Sequence, residues 1–297
     1  MQLPPDLVRK HVEAALLEDL GERGDLTSEA VVPAQRRARG RIFAKAEGVL
    51  CGMPLAIESF LQIDPELRIE VLAQDGAHLA PGTEILAVEG SARALLAAER
   101  TALNFLQQLS GVATLTARFV EEIRGTGAVV LETRKTVPGL RFLQKYAVRV
   151  GGGENHRFGL FDRILLKENH FALSEHGEQP EGYRHAVEKA VAFGGSYGPV
   201  CVEVRDLDEA KAAIHGGADV LLLDNLSADV LHETVMTLRA FCRSEGRDVL
   251  FEASGGITLE TAAHFAAAGV DRLSVGALTH SAPSVDLSML TSEVPSA

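Results

Sequence analysis

Apolar and polar residues fall into three successive patterns along this chain. Over residues 6–20 the apolar positions recur at helical spacing and stop at Gly21, which predicts an amphipathic helix. Short β-like runs follow in "RIFAKAEGVLCG" and "LRIEVLAQDGAHLAPGTEILAVEG", with Leu67, Ile69 and Val71 alternating. Asp75-Gly76 and Pro81-Gly82 supply turn chemistry, so this stretch predicts a small α+β domain on a mostly antiparallel sheet. From about Ala97 the spacing is helical again through "AAERTALNFLQQLSGVATLTARFVEEIRG", where Leu103, Leu106 and Leu109 fall near one face. The domain boundary is placed inside this segment, between residues 107 and 108.

After Gly127 a regular alternation begins. The runs "AVVLET", "RILLK", "PVCVEV", "DVLLLD", "DVLFEAS" and "DRLSVG" are apolar on both faces, as parallel strands buried inside an α/β protein are. Between them lie helical stripes: Leu207, Ala210 and Ile214; Leu231, Val235, Leu238 and Cys242; and Leu259, Ala262, Ala263 and Ala266. Thr258 would cap the last of these, with Gly269 just past its end. Such repeats build either a barrel or a doubly wound sheet. The strand ends favour the barrel. In order they carry Thr133-Arg134-Lys135, Lys167, Glu203, Asp224, Ser254-Gly255-Gly256 and Gly276, and a TIM-type barrel gathers its C-terminal strand ends into one functional rim. An α/β protein is expected, with an N-terminal α/β domain over 1–107 and a barrel over 108–297.

Bulk composition narrows the partners. The 297 residues hold 29 Lys plus Arg against 41 Asp plus Glu, a net charge of −12 that disfavours nucleic acid and anionic membranes. No apolar run approaches the ~18 residues of a membrane span. The N-terminus lacks a secretory pattern. Cys51, Cys201 and Cys242 are odd in number, far apart and in no CxxC pair. They suggest reduced thiols and a cytoplasmic protein.

Against this acidic background, Arg134 to His170 holds eight cations and three acids. Arg134, Lys135, Arg157 and Lys167, with His156, converge on the rim if the strands are placed correctly. Arginine suits bidentate recognition of carboxylate or phosphate. Gly151 to Gly153 would turn the backbone and deliver Asn155, His156 and Arg157 inward. Arg141, Lys145 and Arg149, at helical spacing, form instead a solvated or supporting stripe. The loops "ASGGI" and "SVGAL" offer backbone N–H groups where barrels commonly bind phosphate, though glycines there also serve tight turns. Glu203 and Asp224 end apolar strands and so need partners: Mg²⁺ shared with substrate phosphates, or salt bridges to the ring lysines. No HExxH motif, Cys/His cluster or dense acidic pocket supports a transition-metal site made by protein alone.

Together these residues resemble the quinolinate phosphoribosyltransferase family, also called nicotinate-nucleotide pyrophosphorylases (carboxylating). The resemblance runs through "EDLGERGDLTSEAVVP", "AERTALNFLQQLSGVATLT", "ETRKTVPGLRFLQKYAVRVGGGENHRFGLFDRILLKENH", "EVRDLDEAKAAIHGGADVLLLDN", "EASGGI" and "DRLSVGALTHS". It implies an N-terminal open α/β sandwich and an incomplete, TIM-like C-terminal barrel, with the last ~20 residues packing back on the N-terminal domain. It also implies a homodimer with shared active sites. By the same resemblance, Arg134, His156, Arg157 and Lys167, beside Thr133, hold the carboxylates of quinolinate, joined by Arg100 of the partner subunit. Lys135, Glu203 and Asp224 face phosphoribosyl pyrophosphate and its Mg²⁺, and are the implied catalytic groups. Ser254, Gly255 and Gly256 with Val275, Gly276 and Ala277 bind its 5-phosphate. The implied reaction yields nicotinate mononucleotide, CO₂ and pyrophosphate. Three alternatives stay open: a related phosphoribosyltransferase acting on nicotinate or another small anion, a Schiff-base aldolase using Lys167, and a non-catalytic anion-binding protein.

Overall fold

Segments of period two and period 3.6 fold into the elements that their spacing predicts. The computed structural model describes residues 2–194 and 197–294. In chain order the first elements are α1 (Pro5–Leu20), α2 (Leu26–Val31), β1 (Arg37–Ala44), β2 (Gly48–Val49), α3 (Met53–Ile63), β3 (Arg68–Val71), β4 (His78–Leu79), β5 (Glu84–Ser91) and α4 (Ala92–Glu122). Then come β6 (Val129–Leu131), α5 (Arg141–Val150), β7 (Leu165–Leu166), α6 (Glu168–Ala172), α7 (Pro180–Gly194), β8 (Cys201–Val204), α8 (Leu207–Gly216) and β9 (Val220–Asp224). The last are α9 (Ala228–Ser244), β10 (Leu250–Ser254), α10 (Leu259–Ala267), β11 (Arg272–Ser274), α11 (Ala277–His280) and β12 (Leu287–Glu293).

Two units divide the chain. The first takes residues up to Ala117, Phe142–Gly152 and the stretch from Ser281 onward; the second takes Arg118–Arg141 and Gly153–His280. The 107/108 boundary expected from the pattern lies inside α4, and the units part ten residues later in the same helix. In the first unit an antiparallel sheet of order β12-β1-β5-β3 is built from non-adjacent parts of the chain. Its β12 pairs with β1 from Ala38↔Glu293 to Ala44↔Leu287. Leu95, Ala98, Ala102 and Leu106 recur along α4 at three- and four-residue spacing and pack with Ile42, Phe60 and Leu86 in one apolar core. Gly21 ends α1 at φ 53, a conformation open to glycine without steric cost.

Helix α5 corrects the solvated half of one expectation, in which its cations were to be solvated or supporting. Arg149 is exposed, but Lys145 is 1 % exposed and lies on a broad buried face with Leu143, Gln144, Ala147 and Val148. A single cationic stripe would have kept Lys145 in solvent. The burial of a helix face depends on what packs against it, which i, i+4 spacing does not encode.

The second unit is an α/β fold built on one parallel sheet of order β6-β11-β10-β9-β8-β7. It contains all six strands expected from the sequence. Among the described residues β6 and β7 do not pair, so the barrel is incomplete. Beyond β6, Glu154 donates its N–H to the Val130 carbonyl (2.8 Å) and makes an isolated parallel bridge with Leu131. The buried residues of α9 are Leu231, Val235, Leu238 and Cys242, the predicted stripe.

Candidate active site

Strand register turns scattered sequence positions into layers. Leu131 pairs with Ser274, Ser274 with Ser254, and Ser254 with Asp224, which sets one row at the C-terminal strand ends. Two residues lower, Arg272 pairs with Glu252, Glu252 with Leu222, and Leu222 with Glu203. Lower still, Leu165, Cys201, Val220 and Leu250 share one layer and pack in an apolar cluster with Leu222 above them. The unit's interior therefore grades from apolar to charged toward the strand ends, where a cleft of about 520 Å³ opens.

Thr133, Arg134, Lys135, His156, Arg157, Lys167, Asp224, Ser254, Gly255 and Gly256 all line this cleft, as the sequence suggested. Arg157 is only 6 % exposed. Its Nη1 donates to the Arg163 carbonyl (3.2 Å). The Nε–H groups of Arg157 and Arg134 are buried without acceptors. Burial, and then the charge of Arg134, lower the Arg157 guanidinium from its ordinary pKa. Two unmet donors on mutually repelling cations cost free energy, which an anion bound in the cleft would offset.

The glycine run serves two distinct needs. A Cβ on Gly151 would sit 2.3 Å from the Ala113 carbonyl oxygen, and Gly152 has φ 89. The segment that follows is clamped by a buried acid absent from the predicted site. Glu132 accepts from Asn155 Nδ2 (3.0 Å) and from the His156 N–H (3.1 Å). A second buried acid, Glu252, lies 3.3 Å from His156 Nε2 and accepts from Ser274 Oγ (2.5 Å). Burial raises its pKa, but His156, Ser274 and Arg272 outweigh burial and hold the carboxyl below its usual range. His156 Nδ1 accepts the Arg157 N–H (2.7 Å), so both ring nitrogens are engaged within the protein. The signal for Glu132 and Glu252 was an acid within or just after an apolar strand, as in "VVLET" and "LFEAS".

Of the two predicted carboxylates, Glu203 is ion-paired with Lys167. Asp224 Oδ2 accepts from Asn225 Nδ2 (2.9 Å). Both backbone polar groups of Lys135 are held: its N–H donates to Thr133 Oγ1 (3.1 Å), and Thr279 Oγ1 donates to its carbonyl (2.8 Å). Its side chain passes Gly276, where a Cβ would lie 3.1 Å from Lys135 Cδ. The Val275 N–H is committed to the Leu131 carbonyl (2.8 Å), while Gly276 precedes α11 and Ala277 is its first residue. Arg100 is exposed on α4 in the first unit and is not part of the cleft lining. His156, Cys201 and Glu252 bring ligand atoms within 4.8 Å of one another, yet Arg157 and Arg272 interact with the same groups, a poor setting for a cation. Burial pushes the thiols of Cys51, Cys201 and Cys242 up, so none is a thiolate nucleophile.

Comparison with known proteins establishes the family and the fold. Residues 112–290 match the family model for the quinolinate phosphoribosyl transferase C-terminal domain, and residues 25–110 match that for its N-terminal domain. The chain belongs to this family. It is 41% identical over 287 residues to a nicotinate-nucleotide pyrophosphorylase [carboxylating] of Mycobacterium leprae, covering 96% of this chain and 97% of that protein. A probable nicotinate-nucleotide pyrophosphorylase [carboxylating] of Bacillus subtilis is 39% identical over 282 residues, covering 95% and 92%. The solved nicotinate-nucleotide pyrophosphorylase of Francisella tularensis superposes with TM-score 0.89 at 38% identity, covering 98% of each chain. Among the described residues no helix is long and apolar enough to cross a membrane.

Proposed function

We infer that this chain transfers the phosphoribosyl group of phosphoribosyl pyrophosphate to the ring nitrogen of quinolinate with decarboxylation, a step of de novo NAD biosynthesis. The products are nicotinate mononucleotide, CO₂ and pyrophosphate. The observation that carries the assignment is the pair of buried, unpartnered guanidinium Nε–H groups of Arg134 and Arg157. A dianionic ring acid supplies acceptors and counter-charge for both, at roughly 1.5–3 kcal/mol per charge-assisted bond. Lys167 completes the cationic set, and His156, whose nitrogens are occupied, orients Arg157.

Gly255 and Gly256, at φ 92 and 63, line the cleft next to Ser254, and in this reading their backbone N–H groups bind the 5-phosphate together with Gly276 and Ala277. Lys135 and Asp224 face the pyrophosphate and ribose. As C1–O cleaves, positive charge grows on the ribose, and the carboxylates of Asp224 and Glu203 stabilise it. Pyrophosphate leaves as the ring nitrogen bonds to C1; the 2-carboxylate then departs as CO₂, the pyridinium stabilises the electron pair left on ring C2, and a proton from solvent takes the carboxylate's place there. No covalent bond to the protein forms. Mg²⁺ favours hard oxygen ligands, usually one or two carboxylates plus substrate phosphates. Asp224, which lines the cleft, fits that role, whereas Glu203 lies one layer lower and is ion-paired with Lys167. Held by Asp224 and the substrate's phosphates, Mg²⁺ would supply counter-charge for pyrophosphate. A homodimer in which Arg100 of each subunit enters the other's site, in the cytoplasm, completes the proposal. The three buried free cysteines support a reducing compartment. The Schiff-base alternative loses ground because the Lys167 side chain is 45% exposed and paired with Glu203, not desolvated in an apolar pocket.

Incubation with quinolinate, phosphoribosyl pyrophosphate and Mg²⁺ should release CO₂ and pyrophosphate in equal amounts. Pyrophosphate without CO₂ would overturn the decarboxylating assignment in favour of a nicotinate-type transfer.

A further inference from the structure

Asn225 has φ 55 and is the only non-glycine residue at positive φ among the described residues. It follows Asp224 directly, and it is exposed, so packing does not force it into the left-handed region. Asparagine tolerates that region better than most residues, yet an observed backbone outlier at a cleft calls for a functional reason. Three contacts supply one. The Asn225 N–H donates to the Ser254 carbonyl (2.9 Å), extending the β9–β10 ladder one step past the Asp224↔Ser254 pair. Nδ2 donates to Asp224 Oδ2 (2.9 Å). On the other side of the amide, a Cβ built on Gly255 would lie 2.2 Å from Asn225 Oδ1, so the side chain occupies the space that glycine leaves open.

We propose that Asn225 is a positioning residue that ties the Asp224 carboxylate to the Ser254–Gly256 loop, so that the ribose-facing acid and the phosphate-binding backbone keep one relative geometry. This rests on the reading of the cleft given under Proposed function. The left-handed backbone aims the amide back at its own neighbour, and the ladder bond to Ser254 anchors that backbone to the loop. Carboxylates that meet a metal or developing charge are commonly oriented by such a second partner.

Two substitutions separate positioning from simple backbone accommodation. Asn225→Gly keeps φ 55 without strain but removes the donor to Asp224. Asn225→Asp keeps the size and turns the donor into a second carboxylate facing Asp224. Positioning predicts a fall in kcat/KM for phosphoribosyl pyrophosphate of ~10–100-fold in Asn225→Gly and a larger one in Asn225→Asp. In both, Tm and the affinity of the free protein for quinolinate should stay near wild type, because Arg134 and Arg157 are untouched. Wild-type kcat/KM in Asn225→Gly would overturn the proposal, as would parallel losses of Tm and quinolinate affinity. Ribose 5-phosphate binding by calorimetry gives a readout independent of turnover. Its affinity should fall in both variants even if the wild-type protein proves inactive on quinolinate, which would sink the assigned reaction and not the tie. Unchanged ribose 5-phosphate binding sinks the tie itself.

Discussion

Arg157→Met should move stability and catalysis in opposite directions. In the free protein this guanidinium is 6 % exposed, repelled by Arg134 and carries an Nε–H without an acceptor. Deleting a buried unsatisfied donor returns about 1–3 kcal/mol, and losing the Nη1 bond to the Arg163 carbonyl costs about 1 kcal/mol. Methionine keeps most of the volume. The balance runs from zero to about 2 kcal/mol of stabilisation, so Tm should hold or rise by up to several degrees. With quinolinate bound the sign reverses. Removing one member of a buried charge pair costs roughly 3–5 kcal/mol, which lowers kcat/KM for quinolinate by ~10²–10³-fold or more. Differential scanning calorimetry of the free protein and initial-rate kinetics on the same preparation check both halves. A lowered Tm with unchanged kcat/KM would refute the reasoning, because Arg157 would then be a structural group and not a binding group held in wait.

Two further tests address assembly and pH. If Arg100 acts across subunits, Arg100→Ala and Lys167→Ala should each be nearly inactive. Random re-association should then recover about a quarter of wild-type activity, since half the dimers are mixed and each has one intact site of two. Asp25 caps α2 by accepting from Thr27 N–H (3.1 Å) and Ser28 N–H (3.0 Å). The Ser28 hydroxyl, and then the backbone bonds, hold its carboxyl below the ordinary value of 3.8. A depressed folded pKa means that the cap's stability is present above pH 3.8 and lost as pH falls through the folded pKa. Asp25→Ala should therefore cost about 1 kcal/mol at pH 7, with a gap to wild type in denaturant midpoint that narrows below pH 4. A constant gap down to pH 2 would refute the cap's charge dependence.

What the sequence determined by itself was local. Period-two and period-3.6 patterning is a property of neighbouring residues, so the six strands of the second unit and the stripe on α9 were legible before any tertiary contact. Polar and glycine residues at strand ends were legible for the same reason, and a parallel sheet then necessarily brings them to one rim. The resemblance to a known family added the substrates. Tertiary structure decided what depends on groups far apart in the chain. Lys145 is buried because of what covers its face of α5. Glu203 meets Lys167, 36 residues away, because β7 and β8 are adjacent. Glu252 became the partner of His156 and Ser274 because register places it one layer below the rim. The unmet donors of Arg134 and Arg157, which carry the functional assignment, are likewise invisible in sequence. Whether a buried N–H has an acceptor depends on the three-dimensional placement of every nearby oxygen, and residue order alone does not supply that placement.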